Sequence, residues 1–500
     1  MRILYIDVDS LRPDHLGCYG YHRDTSPNVD ALAADGRRFT NYYASDAPCG
    51  PSRTALFLSR FGIHTGVVNH GGLNGDPRRY GRQRGFNYPE KFRSWMTVLA
   101  ENDIHTASVS PFPSRHDTWQ VLEGFVEFHD PRDSHAHAAD IYPYAEEWLE
   151  DNAADDDWFL HVNFWDPHTE YNTPLEYGNP FEDEPAPEWP DEETIEAHYE
   201  SYGPHSAFNP ESASFDWSRS WNLERMPDEI ADREDFKTWV DGYDTGIRFM
   251  DDHVGKICDL LREKGVFEET LIVVSADHGE ALGEFNVYGD HQCADLATCR
   301  VPLIVSGPEV EPGVDEDLHY QVDLAPTVSE LVGAEPPTGW DGRSFAPSLT
   351  DGEHAGRPSL VVSQGAWACQ RAARWDDWLL VRTYHDGGKP AFDDVMLFDV
   401  ATDPHQTTDL SAERPDVTEK GLSILQRWHD DRMIEAARGE NGGNPETPDG
   451  VVDPMWDTIR EGGPLHARDH LGPYAEYLRS EGREEQAAEI EARYDLDVDA

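Results

Sequence analysis

The chain has 500 residues, with 98 acidic against 40 basic side chains and a formal net charge of −58. A field of that sign repels nucleic acid and anionic membrane, so neither is expected as a partner. A hydrophobic fraction of 38% with 15 Trp excludes a disordered acidic chain, and the length suits one large α/β domain plus a smaller one.

In chain order, RILYIDVD at 2–9 is a short apolar run ending in acids, the pattern of a buried parallel strand that delivers polar groups at its carboxyl end. SPNVDALAADG reads as a capped helix with a glycine stop. RRFTNYYAS reads as a strand and PSRTALFLSR as the helix after it. FRSWMTVLAEND is amphipathic and leads to the strand IHTASVS; HAADIYPYAEEWLED is helical and DWFLHVNFWD is a strand. A long helix is predicted from about 235 to 264, followed by the strand TLIVVSADHGE. Alternation of this kind predicts an α/β fold with a mostly parallel central sheet and helices on both faces. The stretch 170–234 is irregular and rich in Pro, acids and aromatics, and is read as an active-site lid. Trp189, Trp217 and Trp221 within it either stack on a sugar or pack the loop. After residue 358 the short strands LVVSQ, WLLVRTY and DVMLFDV and a helix near 416–438 predict a small C-terminal α+β subdomain. Residues 439–463 read as loop, and a polar helix closes the chain. The expected units are a catalytic α/β domain over 1–357, the subdomain over 358–440 and a polar extension over 441–500.

No long apolar run follows Met1 and none reaches the length of a membrane span. The six cysteines have neither metal-site spacing nor the look of a small secreted framework, so a reduced, cytoplasmic protein is expected.

Three predicted strand ends carry clustered polar groups: DVDSLRPDH, FWDPHTEY and SADHGEALGE. Ligands of open α/β sheets bind beyond the carboxyl ends of strands. Asp9, Asp277 and His278 are therefore candidate ligands of one cation. Carboxylates favour hard Ca²⁺ or Mg²⁺, and an imidazole shifts the preference toward Mn²⁺ or Zn²⁺. Strand alternation puts Asp7 on the same face as Asp9, as an extra ligand, as an acceptor behind the ligands, or as a buried hydrogen-bonded acid. SDAPCGPSRTALF sets Cys49 at the mouth of a helix, either as a buried helix-start cysteine or as a modified nucleophile.

CGPSR fits the Cys-x-Pro-Ser-Arg signature of the type I sulfatases of the alkaline phosphatase superfamily, and the chain resembles that family well beyond it. VDSLRPDHLGCYGY, SPNVDALAADGRRFTNYYA, RTALFLSRFGIHTG, DPHTEY, ADHGEALGE, RVPLIVSGP, VDLAPTVSELVG and DVMLFDVATDPHQTTDL follow in the family's order, from residue 2 to about 410. The resemblance implies an alkaline-phosphatase-like fold and hydrolysis of a sulfate ester on a small substrate, a sugar included. It implies that Cys49 is oxidised to formylglycine by a formylglycine-generating enzyme that reads Cys-x-Pro-x-Arg. The hydrated aldehyde offers two hydroxyls on one carbon, one to attack sulfur and one to expel sulfate afterwards. By the same resemblance Asp9, Asp277 and His278 bind one divalent metal with residue 49, Ca²⁺ first and Mn²⁺ or Zn²⁺ as alternatives. The helix N-terminus faces the developing anion and Arg53 steadies the sulfate oxygens.

The chain departs from the family pattern in three ways. The second acid of the first motif is Ser10, and the fourth ligand position is His278 rather than Asn. The latter departure also occurs in relatives that cleave phosphonate and phosphodiester bonds, so such a hydrolase is the alternative reading. A non-catalytic binding protein on the same fold is a second alternative, opposed by the joint presence of Cys49, Arg53, Asp9, Asp277 and His278. Thirdly, the two lysines that sulfatases usually supply to sulfate are missing; the only lysines are at 91, 237, 256, 264, 389 and 420. SPFPSRHDTW offers Arg115 and His116 in one place and YGDHQCAD offers His291 in the other. Arg is a permanent bidentate donor, and His protonates a leaving oxygen near neutral pH. His168 in DPHTEY matches the family's active-site histidine, while His64, His70, His135 and His137 are read as structural or surface groups. The acidic, Lys-poor composition resembles that of proteins from extremely halophilic archaea, where dense carboxylates hold water and counter-ions.

Overall fold

Ile3 to Val8 are all buried, and the strand they form, Arg2–Val8, lies in the middle of an eight-stranded sheet. The computed structural model describes residues 1–77, 93–133, 136–210, 224–438 and 452–496. Strand order across the sheet is Gly313–Tyr320, Arg37–Tyr43, Arg300–Ser306, Thr270–Ala276, Arg2–Val8, Trp158–Phe164, His105–Val109 and Glu127–His129. Only Arg300–Ser306 runs against the others. The expected mostly parallel α/β sheet is therefore present.

The central strands are apolar on both faces because helices cover both. On one face Tyr5 meets Trp95, and Asp7 meets Arg53 of the helix Cys49–Leu58. Helices Trp95–Glu101 and Leu324–Leu331 pack alongside that helix. Alternation leaves Leu4, Ile6 and Val8 for the other face, where the long helix Arg233–Glu263 packs with Ala138–Asn152 and Pro27–Asp35. The long helix starts where Asp232 accepts hydrogen bonds from the Glu234 and Asp235 amides.

A second, five-stranded sheet runs Val395–Asp399, Trp378–His385, Cys369–Trp375, Leu360–Gln364 and Asp46–Ala47. Its last pair is parallel and ties the segment just before Cys49 to the C-terminal half of the chain, with Ser363 N donating to Ser45 O at 3.0 Å. Sequence patterning missed the strand Cys369–Trp375 because it buries Gln370, Arg371 and Arg374. Distant groups satisfy them: Gln370 accepts from Ala294 N, and Arg371 binds both oxygens of Asp453 at 2.6 and 2.8 Å. Asp453 in turn starts a helix, Pro454–Arg460, inside the stretch read as loop. Two helices, Leu471–Ser480 and Glu484–Tyr494, stand where a single polar one was expected. They bury Tyr474, Leu478 and Ile490 together with Tyr202 of the irregular segment. The described part of that segment carries the α-helix Glu192–Glu200, and its Trp189 stacks on His405 with centroids 4.0 Å apart. Residues 211–223, with Trp217 and Trp221, lie outside the described residues. No described helix is long and apolar enough to cross a membrane.

Candidate active site

Register builds the site. Val8 pairs with both Ala276 and Phe164, so three adjacent parallel strands end level. Asp9 and Asp277 emerge side by side, and the turn carrying His168 rises next to them. Asp277 Oδ1 accepts from the amides of His278 at 2.8 Å and Ser10 at 3.3 Å. His278 Nδ1 lies 2.8 Å from Gly279 O. A carbonyl only accepts, so the proton sits on Nδ1 and Nε2 presents a lone pair. That Nε2 is 3.0 Å from Cys49 Sγ, 3.4 Å from Asp277 Oδ2 and 3.8 Å from Asp9 Oδ1. Position 279 requires glycine: a Cβ there would fall 2.0 Å from Ala297 O.

Cys49 is the first residue of a ten-residue helix in which every residue is buried. One turn later Arg53 contacts three carboxylates: Asp7 at 3.0 Å through Nε, and Asp9 at 2.9 Å and Asp277 at 2.5 Å through Nη1. Burial opposes its charge, but those acids hold it protonated well above the usual value. Burial also pushes Asp9 upward, yet Arg53 and then His168 outweigh it and the carboxyl falls to about 2. Asp277 is carried by burial to about 7, with the Asp9 and Asp7 charges adding to it against Arg53.

Three buried carboxylates against one guanidinium leave two formal negative charges, which one divalent cation balances. The donor atoms of Asp9, Cys49, Asp277 and His278 all lie within 4.8 Å of one another. Asp7 Oδ1 is buried without a partner close behind them. The donor set fits a divalent cation, with oxygens for a hard ion and one imidazole nitrogen.

Opposite the carboxylates stand donors. The Arg115 guanidinium lies 3.0 Å over the Trp165 ring, and Trp165 stacks on His168 at 3.8 Å. Burial lowers Arg115 to about 10, which leaves it cationic at neutral pH. Its two terminal nitrogens, Arg53 Nη2 and His116 Nε2 are all buried without hydrogen-bond partners. Burial drops His116 to about 3 and His168 to about 4. His168 Nδ1 bonds to Thr169 O, which leaves Nε2 4.0 Å from Asp9 Oδ1. The His291 ring lies 4.0 Å from that of His278 and 5.6 Å from that of His168. Its backbone is fixed by Gln364 Nε2 on its carbonyl and Asp290 Oδ1 on its amide.

The structure thus gathers Cys49, Arg53, Asp9, Asp277, His278, His168, His291, Arg115 and His116 at one end of the sheet. It adds two rings that sequence reasoning missed. His70, set aside as structural or surface, lies 5.4 Å from His116 and 6.4 Å from His291, ring to ring. His466, from the polar extension, faces His70 at 3.0 Å. The only sequence signal for His70 is its place shortly after CGPSR; His466 has none. His64 is structural, bound to Asp341 at 2.8 Å and to Arg432 O at 3.0 Å. His137 caps the helix Ala138–Asn152, and His135 lies outside the described residues.

The family model described as Sulfatase matches residues 2–334. The N-acetylglucosamine-6-O-sulfatase of Bacteroides thetaiotaomicron is 22% identical over 488 residues, covering 82% of each chain. A solved structure in complex with its substrate D-glucosamine-2-N,6-O-disulfate superposes with TM-score 0.68 at 19% identity, over 86% of this chain and 98% of that one. The phosphonate monoester hydrolase of Silicibacter pomeroyi superposes with TM-score 0.61 at 22% identity, over 87% and 95%.

Proposed function

The chain belongs to the sulfatase family, and on that premise we propose that it hydrolyses the sulfate ester of a small substrate, a sugar included, to an alcohol and inorganic sulfate through residue 49. The observation that carries the mechanism is the place of Cys49, at the start of a buried helix with its Sγ 3.0 Å from His278 Nε2 and within 4.8 Å of the Asp9 and Asp277 oxygens. Burial raises its thiol well above the ordinary value, and the Asp9 and Asp277 charges raise it further. A thiolate is disfavoured where a thiol nucleophile would need one. Converted to formylglycine by a maturation enzyme that reads Cys-x-Pro-x-Arg, residue 49 supplies a hydrated aldehyde, one hydroxyl for attack on sulfur and one for release of sulfate. A divalent cation, Ca²⁺ first with Mn²⁺ or Zn²⁺ as alternatives, supplies Lewis-acid polarisation when bound. Asp9, Asp277, His278 and residue 49 hold it.

Arg53 Nη2, Arg115 and His116 direct unpartnered donors at the oxygens of the ester. Arg115 is aimed by its stack on Trp165. Burial holds His168 at about 4, and burial with the neighbouring imidazoles holds His291 well below the ordinary histidine value, so both are neutral before the ester binds. With the anionic ester bound beside them and favouring the imidazolium, His291 is the first candidate to protonate the departing alkoxide and His168 the second. The name of the N-acetylglucosamine-6-O-sulfatase relative supports a sugar as the organic part. His278 as a ligand keeps phosphonate monoester or phosphodiester hydrolysis as the second reading.

The test is intact-peptide mass spectrometry of position 49 in protein from the native host, alongside turnover. Formylglycine with sulfate release is the expected result. Turnover by protein whose Cys49 is wholly unmodified refutes the mechanism. Rates on an aryl sulfate and an aryl phosphonate ester rank the two hydrolase readings.

A further inference from the structure

The geometry points to a role for the C-terminal segment in the substrate site: His466 fixes the proton of His70 on Nε2, making His70 a donor to the tetrahedral anionic group bound at residue 49. This rests on the sulfatase reading for the identity of the anion. His70 packs directly on the nucleophile's neighbour, since a Cβ on Gly50 would lie 3.5 Å from His70 Cδ2. Its Nδ1 lies 3.0 Å from His466 Nε2. Its own Nε2 is buried without a partner. Facing nitrogens 3.0 Å apart share one proton. If His466 donates it, His70 must carry its own hydrogen on Nε2, beside the rings of His116 and His291. The reverse tautomer would turn a lone pair toward an anion. Burial and the neighbouring imidazoles hold His70 neutral, so the tautomer decides whether it attracts or repels.

His466 is held as a positioning residue needs to be. Its ring stacks on Trp367 at 4.6 Å and its amide donates to Ala366 O at 3.0 Å. Leu465 N donates to Asn69 Oδ1 at 3.3 Å, one residue before His70. Asn74 Nδ2 donates to Pro454 O at 2.9 Å, and Asp453 is clamped by Arg371. The segment 453–466 is thus fastened at one end to Asn74 and the strand Cys369–Trp375 and at the other to Asn69, beside His70.

The experiment measures the dissociation constant of inorganic sulfate on the mature, Ca²⁺-loaded full chain by isothermal titration calorimetry, with KM and kcat on an aryl sulfate. His466→Ala is expected to weaken sulfate and raise KM about tenfold or more, the scale of a lost hydrogen bond to a charged group, with a smaller change in kcat. His466→Gln puts an amide N–H in place of Nε2 and is expected to restore binding to within about threefold of the parent. His70→Ala is expected to match His466→Ala, and the double variant to be no worse than His70→Ala alone. His466→Gln as weak as His466→Ala, additive losses in the double variant, or unchanged sulfate binding in His466→Ala would each overturn the relay and leave the sulfatase reading standing. A parent protein that neither binds sulfate nor cleaves the ester would overturn that reading itself.

Discussion

Cation binding should be linked to pH through Asp277. In the metal-free protein its carboxyl is raised to about 7, chiefly by burial. Between the unfolded value of about 3.9 and that figure, the folded state holds a proton that the unfolded state has lost. Stability of the metal-free protein therefore falls as pH rises from about 4 to about 7. A bound divalent cation needs the carboxylate, so in that window it displaces the proton. Each pH unit well below 7 changes the apparent affinity up to tenfold, and from pH 5 to 7, where the carboxyl is still half protonated, the gain is roughly 50-fold, or about 2.3 kcal/mol of extra stabilisation at a fixed cation concentration. Asp9, already at about 2, is ionised throughout and adds no slope. The assay is thermal unfolding at constant ionic strength, with EDTA or with Ca²⁺, at pH 5, 6, 7 and 8. The midpoint difference should grow stepwise to pH 7 and flatten by pH 8. Asp277→Asn should abolish the growth. An increment equal at pH 5 and pH 7 in the parent protein would refute Asp277 as a proton-releasing ligand.

Three further outcomes are expected. Arg53→Met keeps an unbranched apolar side chain but removes the guanidinium that lies 4.2 Å over the Phe112 ring and leaves three buried carboxylates without their cation, and should destabilise the EDTA-treated protein by about 3–5 kcal/mol in denaturant titration; a change within error would mean that the carboxylates are neutral already. Arg115→Ala removes two unpartnered buried donors and should lower kcat/KM by about 10- to 100-fold, at about 1.5–3 kcal/mol for a hydrogen bond to a charged group, whereas a free Arg115 would show no loss. His291→Ala should slow alkyl or sugar sulfates by about 10² to 10⁴ while sparing an activated aryl sulfate, whose phenolate needs no proton; equal slowing of both would reduce His291 to a positioning group.

Strands and helices with clean apolar periodicity were legible in the sequence, because burial on both faces of a parallel sheet demands continuous apolar runs such as Ile3 to Val8. The long helix was legible to within two residues at either end, expected at about 235–264 and found at Arg233–Glu263. The strand Cys369–Trp375 and the helix Pro454–Arg460 were not, since each is held by the other through Arg371 and Asp453, residues 82 apart in the chain. A buried arginine reads as exposed until its partner is known.

The site divides the same way. Asp9, Cys49, Arg53, Asp277 and His278 sit on strand ends and a helix start, where local sequence dictates both the element and the direction of the side chain. Arg115, His116 and His291 were found only as substitutes at positions where lysines were expected. His70 and His466 were beyond reach: their meeting depends on how the C-terminal segment docks on a loop nearly four hundred residues earlier, through single hydrogen bonds from Leu465 and Asn74. The sequence alone determined the sheet, through its apolar periodicity, and it singled out the proposed nucleophile and ligands, through clustered polar groups at strand ends and the family resemblance. Tertiary structure alone decided which imidazoles share the pocket, because that depends on contacts between segments with no common local pattern.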